Sequence, residues 1–520
     1  MKYIVDPFSE KTSLNTPYRL LRHYAEKWPD KEALVFDAGN QRMTFRGWLD
    51  SVDKLALELS RRGVKAGDPV ALLAENRIEW PVAQIAISAL GAILVPVNTH
   101  FRDNDLRHVL DHSQVVAILL SERFRSSEYL AMVRAIHPQL PSLRDIINFD
   151  DMEYEAVMRQ PVLAELTEWV WSPRELASIQ YTSGTTGRPK GAELCMEGIM
   201  MNAWGTVQRL EVTAMDRWTS IIPLFHCAGC IMNILACLTA GATYLGMRAF
   251  DAGQMLSLIE RERCTVLTGV TSYLAMLEHP DRPYFDLSSL RTGTCGGADC
   301  DPRLLEQCAR AFPINGLVQV YGQTGASTLI ALDYWQSPQR FATAGLPLPG
   351  VEVQVCDPNT GVVLPHGEIG QLQVRGPMVM LGYHRDAEET ARCIDPQGWM
   401  NTGDLGRLNI DGRVELVGGR LRDMIIRGGE NIYPVEIENL LREHPSITEV
   451  AVFALPDKFY GEVVAAAIES TKPLSKDEIR KACVGKIAGF KHPARVFTIV
   501  EWPMTSSGKI LKRMLKTAAN

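Results

Sequence analysis

The stretch Tyr181-Thr-Ser-Gly-Thr-Thr-Gly-Arg-Pro-Lys-Gly191 decides how the rest of the chain is read. It follows the apolar run Leu176–Ile179 and packs three glycines, three threonines, a serine and two cations into eleven residues. Glycines let a backbone turn its N–H groups toward one point, and hydroxyls add further donors. Arg188 and Lys190 bring positive charge. So many donors in so short a segment predict a cradle for a polyphosphate. The segment ends Pro-Lys-Gly, whereas a P-loop ends Gly-Lys-Ser/Thr, so an ordinary P-loop NTPase does not fit.

Upstream of the cradle, strands alternate with helices. A helix over Thr16–Trp28 and a hairpin across Gly39-Asn40 lead into a helix that starts near Trp48 and stops at Gly63. Next come the strand Val70–Leu73, the helix Val82–Leu90, the strand Ile93–Val97, a helix near Asp103–Leu110 and the strand Val115–Leu120. Such alternation predicts a parallel sheet covered on both faces. The segment from Asp150 to Pro173 reads as an acidic, irregular link, and a second alternation runs from Ala177 to about Leu332. Beyond Gly345, short strands among Gly, Pro and Asp predict a small antiparallel or barrel-like unit. From Asp423 onward the pattern is that of a compact α+β unit. The fold class expected is therefore α/β. Residues 1–420 form a large N-terminal domain of two doubly wound parallel-sheet subdomains plus a small β-barrel-like subdomain. A small α+β C-terminal unit over 423–520 completes the plan.

At 520 residues the chain is too long for one ordinary core. A net charge of −7 argues against nucleic acid or an anionic membrane as main partner, so an anionic ligand must be met by local positive charge. Eleven scattered cysteines predict reduced thiols and a cytoplasmic protein. Cys227-Ala-Gly-Cys230 is a lone CxxC without a second pair, and reads as core lining rather than a metal site. The uncharged stretch from Ile221 to Met247 is interrupted by Pro223, His226, Asn233 and Gly241. It predicts a buried helix followed by a strand rather than a membrane span.

Seven further segments carry chemistry: Pro223-Leu-Phe-His226, Gly296-Gly-Ala298, Tyr321-Gly-Gln-Thr-Gly325, Trp399-Met-Asn-Thr-Gly-Asp404, Gly419-Arg-Leu-Arg-Asp423, Gly428-Gly-Glu-Asn-Ile-Tyr-Pro434 and Pro503-Met-Thr-Ser-Ser-Gly-Lys-Ile510. With the cradle, they resemble the adenylate-forming superfamily, in its acyl-CoA synthetase branch, from about Gly67 to Lys509. The resemblance implies a two-step reaction: a carboxylate and ATP give an acyl-adenylate, and coenzyme A then displaces AMP. It assigns the nucleotide phosphates to Thr182, Ser183, Gly184, Thr185, Thr186, Gly187, Lys190 and Thr324. The adenine goes to Gly297, Ala298, Tyr321, Gly322 and Gln323. Asp404 takes the ribose, where a carboxylate suits a vicinal diol because its two oxygens accept two O–H bonds, and Arg420 contacts the ribose or a phosphate. Lys509 and Thr186 serve the first step, His226 gates the acid pocket, Gly429 flanks the coenzyme A tunnel, and Arg422 is the pivot of a hinge at 421–422 to a mobile C-terminal domain. The acid pocket is assigned His226, Cys227, Gly229, Thr268, Gly296, Gly325 and Ala326.

One position departs from the pattern. The family's Tyr-Gly-x-Thr-Glu motif ends in a glutamate that helps hold Mg²⁺, and here that residue is Gly325. No metal ligand is assigned, and Mg²⁺ loses its usual carboxylate. The first step gathers negative charge at one phosphorus, whereas the second attacks a carbonyl already activated, so the change predicts weak adenylation and intact thioester formation. An acyl-adenylate from a separate adenylating enzyme would then be the substrate. The alternatives are a complete ATP-dependent acyl-CoA synthetase and a non-catalytic nucleotide- or acyl-adenylate-binding protein. No acid follows the Pro223–His226 motif to hold a substrate amine. Small uncharged pocket residues instead predict an apolar acid, with free coenzyme A as acceptor.

Overall fold

The computed structural model describes residues 15–36, 40–162, 164–182, 188–269, 272–296, 302–357, 360–420, 425–432, 434–499, 501–503, 510 and 512–519. Two large sheets organise the first of these segments. In one, the strands Leu176–Thr182, Ile93–Pro96, Pro69–Leu73, Ala117–Leu120 and Asp145–Asn148 lie side by side and parallel. The strand Lys190–Cys195 returns antiparallel beside Leu176–Thr182. In the other, Gly316–Gln323, Thr292–Gly296, Val266–Gly269, Arg217–Ser220, Thr243–Gly246 and Glu32–Phe36 run parallel. Antiparallel strands, Thr328–Leu332 and Gln41–Thr44, close its two edges.

The strands are buried on both faces, as the apolar runs predict: Val70, Leu72, Ala117 and Leu119 belong to one hydrophobic cluster, Ala71, Val95, Ile118 and Leu120 to another. The helices read from the sequence form at Pro17–Lys27, Phe45–Arg61, Glu79–Ala89 and Asp103–His112. Thr16 caps the first through a bond from the Arg19 amide at 3.2 Å, and Thr44 the second through the Gly47 amide at 3.1 Å.

The two alternations exchange strands, which the order along the chain did not disclose. The N-terminal hairpin joins the second sheet, with Leu34 beside Tyr244, and the strand ahead of the cradle joins the first, with Ser178 beside Leu94. Periodicity reports that a strand is buried, not which sheet buries it. Nor is the Asp150–Pro173 link wholly irregular. It contains a helix, Met152–Arg159, capped by Asp151, and buries Trp171, whose indole N–H donates to the Ser88 carbonyl at 3.0 Å.

Beyond Gly345, the strands Glu352–Cys356, Gly370–Arg375, Met400–Leu408 and Val414–Arg420 form one antiparallel sheet. Residues 425–499 build another, in which Gly461–Ser470 pairs with Ile447–Asp457, Ile425–Arg427 and Arg495–Thr498. The helices Pro434–Arg442 and Lys476–Cys483 bury Ile437, Leu441, Ile479 and Cys483 on one face of this last sheet. Leu515 of the helix Lys512–Ala519 packs on the other. The stretch from Ile221 to Met247 holds a π-helix, Ala228–Leu235, a short α-helix, Ala236–Ala240, and the strand Thr243–Gly246. Among the described residues no helix is long and apolar enough to cross a membrane.

Phe36 fastens the N-terminal hairpin to the second sheet. It is wholly buried, and a Cβ on Gly246 would lie 2.2 Å from its ring, so the glycine makes room for it. Phe36→Ala should lower unfolding stability by about 3–5 kcal/mol, read as a shift of the urea midpoint.

Candidate functional site

Parallel strands bring their carboxyl ends to one edge, and ligands in open α/β sheets bind outside those ends. Here Thr182, Ser220, Gly269, Gly296 and Gln323 end five strands of the two sheets. Four of them lead into a cavity of about 830 Å³, lined by Ile221, Pro223, His226, Thr268, Gly296, Gly322 and Gln323 among others. The small C-terminal unit supplies the opposite rim with Arg427, Gly428, Gly429, Glu430, Tyr460 and Phe490. A smaller polar pocket adjoins it, where Thr182, His226, Thr324, Gly429, Glu430 and Lys491 converge.

His226 stands at the junction of both spaces. Its Nδ1 accepts the Ala228 amide at 3.1 Å, which leaves a proton on Nε2; burial lowers the imidazole's titration but the Cys227 thiol beside it raises it, to about 9 on balance. Cys227 Sγ lies 3.7 Å from Nδ1 and 3.6 Å from Thr324 Oγ1. Gly229 is sterically required rather than ligand-facing, since a Cβ there would meet the Pro223 carbonyl oxygen at 2.2 Å. Thr268 lines the cavity, but its hydroxyl accepts the buried Trp218 indole N–H at 2.8 Å. Tyr321 donates its hydroxyl to Asp404 Oδ2 at 2.9 Å, and Asp404 pairs with Arg420 across neighbouring strands. Tyr321 and Asp404 are thus joined to each other, while His226, Thr268 and Gly296 line the cavity.

Several assigned residues lie elsewhere. Gly325 and Ala326 are not among the lining residues of the cavity. A Cβ on Gly325 would stand 2.9 Å from Met400 Sδ and 3.4 Å from Met380 Sδ. Ala326 is buried, with its carbonyl accepting from Asn202 at 3.3 Å. Both precede the strand Thr328–Leu332, with Gly325 against Met400 of the neighbouring antiparallel sheet and Ala326 against the helix Met196–Leu210. Lys190 pairs with Glu389 at 2.8 Å, which neutralises one of the two cations read from the cradle, while Arg188 is exposed. Ser183, Gly184, Thr185, Thr186, Gly187, Gly297, Ala298, Arg422 and Lys509 lie outside the described residues, as does the Arg420 side chain.

The helix Asp103–His112, which the sequence reading left without a role, holds both ends of the cradle. His108 Nε2 donates to the Pro189 carbonyl at 3.0 Å, and the Tyr181 hydroxyl donates to His112 Nδ1 at 2.8 Å. His384 packs edge-on against His112 at 5.4 Å and donates from Nδ1 to Glu193 at 2.7 Å. Burial, with His108, His384 and Arg385 nearby, pushes His112 down to about 4, and burial pushes the Tyr181 hydroxyl up. Neither residue carries charge at neutral pH. The i, i+3, i+7 spacing of Asp105, His108 and His112 is a one-face pattern that could have singled out this helix.

Residues 21–384 match the AMP-binding enzyme family, and residues 436–509 match the AMP-binding enzyme C-terminal domain. The chain belongs to the AMP-binding enzyme family, as an AMP-forming acyl-CoA ligase. The ligase is 36% identical to YngI of Bacillus subtilis, described as an acyl-CoA synthetase, over 96% of each chain. It is 33% identical to the mitochondrial medium-chain acyl-CoA ligase of Danio rerio, over 99% of this chain and 90% of that one. Its fold superposes with a TM-score of 0.83 on o-succinylbenzoate CoA synthetase from Bacillus subtilis bound with a product analogue. That pair is 29% identical, with 96% of the ligase and 98% of the other chain covered.

The cradle's histidines give the ligase a pH signature. A proton on His112 is held less tightly in the folded chain (about 4) than at its ordinary 6.5, so the stability it contributes is present above 6.5 and lost as pH falls toward 4. Thermal unfolding measured across that range should decline less steeply in His112→Gln than in the parent chain.

Proposed function

We propose that this ligase works mainly in the second half of the family reaction, taking the acyl-adenylate of an apolar carboxylic acid to its CoA thioester, with weak adenylation. The surroundings of Gly325 carry this reading. Where the motif would place a carboxylate, two methionine sulfurs stand within 3.4 Å of the Cβ position. A hard cation such as Mg²⁺ takes oxygen ligands, so this corner does not suit it. Losing one electrostatic element of that kind typically costs about 3 kcal/mol, on the order of a hundred- to a thousandfold in rate. The acyl-adenylate would come from a separate adenylating enzyme.

Thioester formation asks for less. The thiol sulfur bonds to the acyl carbon, the bond from that carbon to the phosphate oxygen breaks, AMP leaves with the electron pair, and the thiol proton passes to solvent. His226 presents Nε2–H at the junction of the two pockets, where it can donate to the carbonyl oxygen as charge develops. Asp404 and Tyr321 are taken as the ribose and adenine contacts, and Thr182 and Thr324 as those of the phosphate. We take residues 1–420 as the N-terminal domain, 421–422 as the hinge and 423–520 as the C-terminal domain. Gly428 and Gly429, at φ +57 and +87, form the turn that brings the small domain to the rim. That the small domain supplies this rim supports a thiol-accepting arrangement.

A second reading is a complete ATP-dependent synthetase. It is favoured by the near full-length identity to proteins described as acyl-CoA synthetase and medium-chain ligase. Parallel assays separate the two: acid, ATP and CoA in one, synthetic acyl-adenylate and CoA in the other. The proposal expects the second to run at least about a hundredfold faster and Gly325→Glu to raise the first selectively. Equal rates would refute it.

The cavity's apolar wall suits a medium-chain or alicyclic acid. Ala228 lies on that wall, so Ala228→Phe should shift kcat/KM toward shorter acids by about tenfold or more across a chain-length series.

A further inference from the structure

The thioester step proposed above requires the small domain to hold the Gly428–Glu430 turn against the acyl cavity. We propose that Lys491 is the positioning residue for that seating, buried at the domain junction as an ammonium paired with Glu436 of its own domain and attracted by the buried Asp105 carboxylate of the large one. Lys491 is 1% exposed, and its Nζ lies 2.6 Å from Glu436 Oε1. Asp105 is 8% exposed, and its Oδ2 is buried with no hydrogen-bond partner among the described residues. The groups acting on Asp105 are Lys491, Arg102 and His108, and those acting on Glu436 are Lys491 and Asp105.

The same strip of the small domain meets the large one at a second place. Phe490 packs edge-on against His100 at 5.5 Å, and Asn98 Nδ2 donates to Glu430 at 3.3 Å. Asp105 shares a helix with His108 and His112, which grip the two ends of the phosphate cradle. Seating at Asp105 therefore docks the small domain on the element that borders the reacting phosphate. A buried ammonium with two carboxylate neighbours is costly to remove, because its loss leaves charge unpaired away from water.

The charge count has a consequence for pH. Of these groups the two carboxylates, Asp105 and Glu436, share one ammonium, Lys491, with the Arg102 guanidinium acting on Asp105 as well. Burial pushes both Asp105 and Glu436 above the ordinary carboxylate range. A carboxylate that holds its proton more tightly when seated favours seating as pH falls, and that contribution is lost as pH rises through the raised value.

Three variants test this: Lys491→Met, the double change Glu436→Gln/Lys491→Met, which leaves no unpaired charge within the small domain, and Asp105→Asn. Each is assayed with synthetic acyl-adenylate and CoA, and separately for pyrophosphate release from acid and ATP. Seating is read directly by energy transfer between dyes on Met215→Cys and Val484→Cys, positions 85% and 60% exposed on the two domains. Lys491→Met and the double variant should each lose about tenfold or more in kcat with acyl-adenylate, a clearly larger loss than in pyrophosphate release, and lose the transfer signal. The advantage of Asp105→Asn over the parent should grow as pH rises. Equal losses in both half-reactions, an unaltered transfer signal, or a ratio of Asp105→Asn to parent that stays flat with pH would overturn the proposal. Acyl-adenylate that is not turned over by the parent would sink the proposed function instead, while the transfer signal still reports on Lys491.

Discussion

Parallel strands impose a direction. Every strand of the two large sheets that runs with its neighbours delivers its carboxyl end to the same edge, and the chain leaving each strand must turn there. Thr182, Ser220, Gly269, Gly296 and Gln323 reach that edge from positions spread over about 140 residues of chain. Thr182, the His226 turn, Gly296 and the Tyr321 motif are thus assembled by sheet direction rather than by proximity in sequence. The small domain then closes the one side that the sheets leave open.

Electrostatics are set by that geometry. An acidic chain binds an anionic ligand only where neutral donors and a few cations are concentrated. Backbone N–H groups and hydroxyls at strand ends supply most of them. Of the two cations in the cradle, Lys190 is already engaged by Glu389. The residues around the cradle are kept neutral too, since His112 titrates near 4 and Tyr181 is held protonated. Charge at the domain junction is treated differently. There a buried ammonium is set among carboxylates, a combination whose free energy depends strongly on both domains being in place.

Gly325 stands where the family's motif has a glutamate, and the fold around it is undisturbed. Its neighbours Thr324 and Tyr321 keep their places, the first near Cys227 and the second bonded to Asp404. Only the carboxylate is missing, and the volume beside it is occupied by flexible thioethers. A glycine at the start of an antiparallel return strand is easily tolerated by the backbone, so nothing in stability opposes the change.

The sequence by itself determined the elements and the chemistry of the cradle. Apolar runs such as Val70–Leu73 and Ile93–Val97 are long enough to be strands and too uniform to have a solvent face, so a covered parallel sheet was legible. The glycines and hydroxyls of 181–191 announced an anion because their conformational freedom and donors are local properties. Tertiary structure alone decided which sheet each strand entered, since hydrophobic periodicity is blind to the identity of the partner. It decided that Gly325 lies against Met400 and Ala326 against Asn202, outside the lining of the cavity, because side-chain direction in a turn depends on what packs beside it. And it decided that Asp105, His108, Glu436 and Lys491 belong to the site at all. Their meaning comes from charges brought together across hundreds of residues, and no local pattern encodes such a distance.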